Sequence, residues 1–167
     1  IPGKAHSEGR NQRILDLTRK DVQDHIIEEM GRVFSSADIS YVKWDMNRTF
    51  SDYFSQSIRP ERQGEVAHRY VLGLYRCMKE LTERFPEILF EGCAAGGNRF
   101  DLGILSYFPQ IWASDDTDAL CRAEIQTGYS YGYPMSVVSA HVSSCPNHQT
   151  LRWQRLESAD MNVISAI

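Results

Sequence analysis

The sequence predicts an α/β fold, a partial (β/α)8 TIM barrel with roughly half of the barrel's βα units. Three observations point there. Short apolar strands alternate with helical repeats, as a parallel sheet with helical crossovers requires. Polar and small residues gather just after the strands, at the ends where α/β proteins place active sites. Four strand candidates in 167 residues fall short of the eight strands and about 250 residues of a closed barrel. Residues 1–167 are therefore expected to form one partial catalytic barrel domain.

The elements follow in order. Residues 1–17 are polar and read as a loop. Thr18 is placed to cap a helix whose apolar face is Val22, Ile26, Met30 and Val33, with Asp21 near its positive end. Ile39 to Trp44 reads as a strand ending at Asp45. A polar loop, 46–60, precedes an amphipathic helix of about 62–84, which buries Val66, Tyr70, Leu74, Cys77, Met78 and Leu81. Pro86 closes it, and Ile88-Leu89-Phe90 begins a second strand running into Gly92-Cys93-Ala94-Ala95-Gly96-Gly97. A third strand near Gln110 to Ala113 ends at Asp115-Asp116-Thr117-Asp118. Ser114 or Thr117 can cap the helix carrying Leu120 to Gln126, and Met135 to Val142 is the fourth strand candidate.

Composition narrows the function classes. The net charge of -4, with no Lys/Arg-rich run, argues against a nucleic-acid partner. No stretch reaches the roughly 18 apolar residues of a membrane span. No signal peptide is visible, and the absence of a starting Met suggests a chain that begins inside a longer protein. Cys77, Cys93, Cys121 and Cys145 form no CxxC pair, which disfavours a zinc ribbon. A chain of this size does not need disulfides, so reduced thiols and a cytoplasmic setting are expected.

Two carboxylate groupings can carry chemistry. Strand periodicity puts Tyr41, Lys43 and Asp45 on one face and Val42 and Trp44 on the other. A cation near Asp45 favours its ionised form, as a nucleophile needs, although a plain Lys–Asp pair at a strand end fits equally well. Asp115, Asp116 and Asp118 crowd three carboxylates into four residues. Crowding favours one protonated acid, while a helix N-terminus or a divalent cation would also explain the group. Glycoside hydrolysis needs two carboxyl groups flanking the scissile bond, as Asp45 and Asp115 could, but so do other two-carboxylate chemistries.

The string Tyr41-Val42-Lys43-Trp44-Asp45-Met46-Asn47-Arg48 closely resembles the nucleophile segment of glycoside hydrolase family 36, the α-galactosidases. The resemblance continues through Arg10-Asn11-Gln12, Gly92 to Asp101, Trp112 to Asp118, Ser139 to Val142 and Pro146 to Thr150, in the family's order. It implies a retaining α-galactosidase acting on terminal α-galactosyl groups of oligosaccharides such as raffinose and melibiose. Asp45 is then the nucleophile and Asp115 the acid/base. Arg10 and Lys43 bind sugar hydroxyls, Cys93 and Gly96 line the sugar pocket, and Trp112 forms an aromatic wall. No metal or organic cofactor is implied, and His141 and His148 are read as structural. The expected partners are the α-galactoside substrate and, for the full-length protein, further copies of itself in a homo-oligomer. Asp101 is expected to fix a loop.

Departures limit the resemblance. Many relatives carry a serine and a longer glycine run after the cysteine, where Ala94, Ala95 and Asn98 stand here. Family members are several times longer, so the chain is expected to hold both aspartates without the full pocket. Transfer to another sugar, an α-N-acetylgalactosamine substrate and a silent carbohydrate-binding remnant remain competing expectations. Strand alternation also places Trp112 and Asp115 on opposite faces, so the backbone must bend between them.

Overall fold

The computed structural model describes residues 8–9, 11–48, 50 and 53–140. Their order is helix α1 (Lys20–Phe34), strand β1 (Tyr41–Asp45), helix α2 (Val66–Arg84), strand β2 (Leu89–Cys93), strand β3 (Gln110–Ile111) and helix α3 (Ala119–Ser130). Short 3₁₀ turns lie at Pro60–Glu65, Ile104–Ser106 and Met135–Val137. The strands form one sheet in the order β1-β2-β3. β2 and β3 run parallel, with Glu91 opposite Gln110 and Gly92 opposite Ile111. Between β1 and β2, Leu89 N–H donates to Ser40 O at 2.9 Å and Met46 N–H to Cys93 O at 3.1 Å. Numbers that rise together on both strands are the signature of parallel pairing. The chain is α/β, as expected.

Two compact units make up the chain. The first comprises residues 1–42 and 47–89, and its core lies between α1 and α2. Every apolar position expected on α2 is buried: Val66, Tyr70, Leu74, Cys77, Met78 and Leu81. Burying a Leu or Met side chain contributes about 1.5–3 kcal/mol, so this face dominates the unit's stability. Gly73 lets α2 approach the segment before α1, since a Cβ there would lie 1.9 Å from Leu17 O. Gln23 Nε2 closes the same junction by donating to Leu17 O at 2.7 Å.

α1 departs from its expected face. It buries Gln23, Gly31 and Phe34, while Val33 is 50% exposed. Phe34 packs edge-on against Phe85 with centroids 5.5 Å apart, and Gly31 admits the Arg84 guanidinium. Apolar counting passed over a glycine and a glutamine that are buried for contact and for a backbone bond. Thr18 does not cap α1 either. Arg19 precedes the helix without a side-chain cap, and Thr18 instead bonds Asp16 Oδ1 and Ser55 Oγ. Pro60 starts a 3₁₀ turn before α2, which explains why the α-helix begins at Val66 rather than near 62.

The second unit comprises, among the described residues, 43–46 and 90–140. Phe90, Ile104, Phe108, Ile111, Ala113 and Val138 form its buried core. Phe90 and Phe108 stack with centroids 5.2 Å apart, and Trp44 meets Phe108 at 6.2 Å. β3 is shorter than expected and stops at Ile111. The fourth strand candidate starts as a 3₁₀ turn and then places Val138 beside Ile111 in a single parallel bridge. Residues 141 and 142 of that candidate lie outside the described residues. Asp118, rather than Ser114 or Thr117, caps α3: its Oδ1 accepts from Cys121 N–H at 3.2 Å. Ser114 Oγ accepts from Asp116 N–H instead, a local turn that competes with helix capping.

Candidate active site

Strand β1 delivers Lys43 and Asp45 on one face, because successive side chains alternate. Its burial alternates accordingly, with Tyr41, Lys43 and Asp45 exposed and Val42 and Trp44 half-buried. Asp45 ends the strand, and its neighbour on β2 is the buried Cys93. The Cys93 thiol sits within reach of the Asp45 carboxylate and of the Gly96 backbone, and both act on its ionisation. Burial raises the thiol pKa first of all; the bond to Asp45 and the charge of Asp45 raise it further, against the Gly96 bond and Lys43. Cys93 is thus held as a neutral S–H donor beside Asp45.

The loop after β2 needs unusual backbone. Ala95 (φ 49°) and Gly96 (φ 83°) both lie in the left-handed region. For Ala95 that costs roughly 1–2 kcal/mol, which the Asn98 amide offsets by donating to Ala94 O and Ala95 O at 2.8 and 3.1 Å. A Cβ on Gly96 would sit 3.3 Å from Asp115 N, so this glycine lies directly against the Ser114–Asp115 backbone. Asp101 fixes the loop's exit, accepting from Ile104 N–H at 2.9 Å, as expected.

Lys43 reaches across to β2 and to Trp112. Its Nζ lies 3.4 Å from Glu91 Oε1 and 3.9 Å from the centroid of the Trp112 ring. Trp112 Nε1–H in turn donates to Asp115 Oδ1 at 2.8 Å. Strand alternation opposed that contact, but β3 ends at Ile111 and the chain bends at Asp115, where the two side chains meet. Asp45, Lys43, Cys93, Gly96, Trp112 and Asp115 therefore belong to one connected set within the second unit. Arg10, together with His141 and His148, lies outside the described residues.

Three residues of this neighbourhood had no assigned role from sequence. Arg99 donates to Trp44 O at 3.2 Å and to Cys93 O, the carbonyls at the ends of β1 and β2. Glu91 is 4% exposed and holds Lys43; alternation from Cys93 could have placed it on the same face. Arg122 is wholly buried on α3, and burial lowers its pKa against the pull of Asp116 and Glu91. No sequence signal marks it. Among the described residues, no cluster of three or more His, Cys, Asp or Glu side chains could hold a metal ion. Nor is any described helix long and apolar enough to cross a membrane.

Known proteins were compared with this arrangement. The family model described as Melibiase matches residues 1–165. The α-galactosidase AgaA of Geobacillus stearothermophilus is 56% identical over 158 residues, covering 95% of this chain and 22% of that protein. Alpha-galactosidase 1 of Pediococcus pentosaceus is 55% identical over 152 residues, covering 91% of this chain and 21% of that protein. Among solved structures, AgaA itself matches with a TM-score of 0.86 and 45% identity, over 99% of this chain and 27% of that one. An AgaA variant in complex with raffinose matches with a TM-score of 0.89 and 53% identity, over 95% of this chain and 23% of that one. The chain spans about a fifth of the length of the curated relatives it matches. A family match over nearly every residue, at more than half identity to named α-galactosidases, has one meaning: the chain belongs to the Melibiase family, with the α-galactosidases of glycoside hydrolase family 36.

Proposed function

We propose that this chain is the catalytic segment of a retaining α-galactosidase, part of a (β/α)8 barrel, acting on oligosaccharides such as raffinose and melibiose. Asp45 attacks the anomeric carbon and forms an ester bond as the glycosidic C–O bond breaks. Asp115 gives its proton to the departing oxygen. Asp115 then takes a proton from water, whose oxygen bonds the anomeric carbon as the ester to Asp45 breaks. Two inversions return the original anomeric configuration, and the mechanism needs no metal or organic cofactor.

The observation that carries this reading is the single set in which Asp45, Cys93 and Gly96 lead to the Asp115 backbone, and Asp115 in turn meets Trp112 and, over its ring, Lys43. Lys43 Nζ has three donor protons and one carboxylate contact among those described, which leaves capacity for sugar hydroxyls. Cys93, Gly96 and Trp112 line the sugar site in this reading, and Arg10 adds a further hydroxyl contact. The relative AgaA supplies independent support. Its raffinose and stachyose complexes each carry an aspartate substitution, and those two aspartates are separated by the same interval as Asp45 and Asp115. Buried free thiols at Cys77 and Cys93 fit a cytoplasmic setting. The whole protein is proposed to assemble as a homo-oligomer.

The test is trapping. A slow, ring-fluorinated α-galactosyl fluoride should lose its anomeric fluoride and add one fluorogalactosyl mass to the peptide containing Asp45 in the whole protein. Labelling elsewhere, or turnover of an aryl α-galactoside by Asp45→Ala, would overturn the nucleophile. A first-formed product that is β-galactose would overturn retention.

A further inference from the structure

Arg122 is a guanidinium with no exposure to water, a position that costs several kcal/mol unless its hydrogen bonds repay it. Those bonds tie two segments together. Nη1 donates to Ser114 O at 3.0 Å, the peptide just before Asp115. Nη2 donates to Ser139 O at 2.8 Å, which ties the same group to the segment bridged to Ile111. The guanidinium carbon lies over the Trp112 ring, 4.8 Å from its centroid, and Lys43 Nζ also rests over that ring at 3.9 Å. Trp112 is thus held by two cations, and its one polar atom is aimed at Asp115 Oδ1. The anchor is itself firm, because Arg122 N–H donates to Asp118 O at 2.8 Å in the first turn of α3, which Asp118 caps.

We infer that Arg122 is a positioning residue for Asp115 that acts through Trp112. It fixes the indole so that Nε1–H occupies Asp115 Oδ1, leaving Oδ2 to carry the proton given to the leaving oxygen. An oxygen already accepting from an N–H is the weaker proton site of the two. The carboxyl group also follows a two-residue strand, so its orientation depends on this side-chain contact. This inference rests on the proposed acid/base role of Asp115.

Leaving-group dependence tests it in the whole protein. A sugar leaving group, as in raffinose, needs the proton; a 2,4-dinitrophenolate leaves without one. Trp112→Phe keeps the ring and removes only the N–H. It should lower kcat/KM for raffinose at least about tenfold more than for the dinitrophenyl α-galactoside, whatever loss in sugar binding the two substrates share. Arg122→Lys, which keeps the charge but loses the planar fork, should show the same split. The double variant should be no more selective than Trp112→Phe alone, since both changes break one linkage. Equal losses on the two substrates, or additive selectivity in the double variant, would overturn the inference. Asp115→Ala separates the layers. If it shows the split and Trp112→Phe does not, the inference fails alone; if Asp115→Ala shows none, the acid/base assignment fails with it.

Discussion

Arg99 donates to the carbonyl of Trp44 at 3.2 Å, the peptide oxygen immediately before Asp45. The same guanidinium reaches Cys93 O, which also accepts Met46 N–H at 3.1 Å. One arginine therefore bears on the backbone at both sides of Asp45. Replacing it by methionine should lower unfolding free energy by about 1–3 kcal/mol, the range for losing charge-assisted hydrogen bonds at a half-buried site. Arg99→Lys should recover less than half of that, because lysine lacks the fork that spans two carbonyls. Urea titration checks both; a loss below about 0.5 kcal/mol for Arg99→Met would show that the clamp does not matter to stability.

Lys43 and Glu91 form a half-buried pair, with side chains 40% and 6% exposed. Lys43→Met should destabilise by roughly 1–3 kcal/mol, less than a fully buried pair because Lys43 reaches water. Adding Glu91→Gln should restore part of the loss, since it removes the carboxylate left without this cation. A double-mutant cycle with no coupling would show that the 3.4 Å contact is energetically silent.

Cys77 makes a pH prediction. Burial pushes its thiol up to about 11, so the folded chain keeps this proton through a range where the unfolded chain loses it. Below the unfolded thiol's range both states hold the proton and stability is flat. Above it the unfolded state binds fewer protons, so stability falls with rising pH until the folded thiol also ionises near 11. Denaturant midpoints measured from pH 8 to about 10.5 should fall more for the wild type than for Cys77→Ala. Parallel curves would refute the assignment.

Gly97 sits where a Cβ would lie 2.2 Å from Tyr129 Oη and 2.8 Å from Ala113 O. Gly97→Ala should therefore cost about 1–3 kcal/mol of stability, as overpacking does. Adding Tyr129→Phe removes the closer of the two atoms and should recover part of the loss in a thermal melt. Full tolerance of Gly97→Ala alone would contradict the packing of this loop against α3.

Legibility in the sequence followed periodicity. The buried face of α2 could be read residue by residue because six apolar side chains repeat at helical spacing. The alternation of β1 placed Lys43 and Asp45 together for the same reason. α1 misled because Gln23 and Gly31 are buried for a hydrogen bond and a close approach, which hydrophobicity does not encode. Family resemblance brought Cys93 and Trp112 to notice, but not what they touch. The Trp112–Asp115 contact needs a turn at the end of β3 that strand alternation argues against. Arg99 and Arg122 bond to carbonyls distant in sequence, and backbone acceptors leave no trace in residue type.

The two aspartates are held by different means. Asp45 takes its place from a five-residue strand whose Trp44 carbonyl is clamped by Arg99, whereas Asp115 follows a two-residue strand and is steadied by an indole. Evolution can therefore treat them unequally. If the two act as proposed, single substitutions around Asp115 would retune which aglycones depart readily, one side chain at a time, while displacing Asp45 would require rebuilding the strand. Under that proposed mechanism, drift in acceptor and leaving-group preference, with attack on the sugar left intact, is the variation this architecture makes easiest to reach.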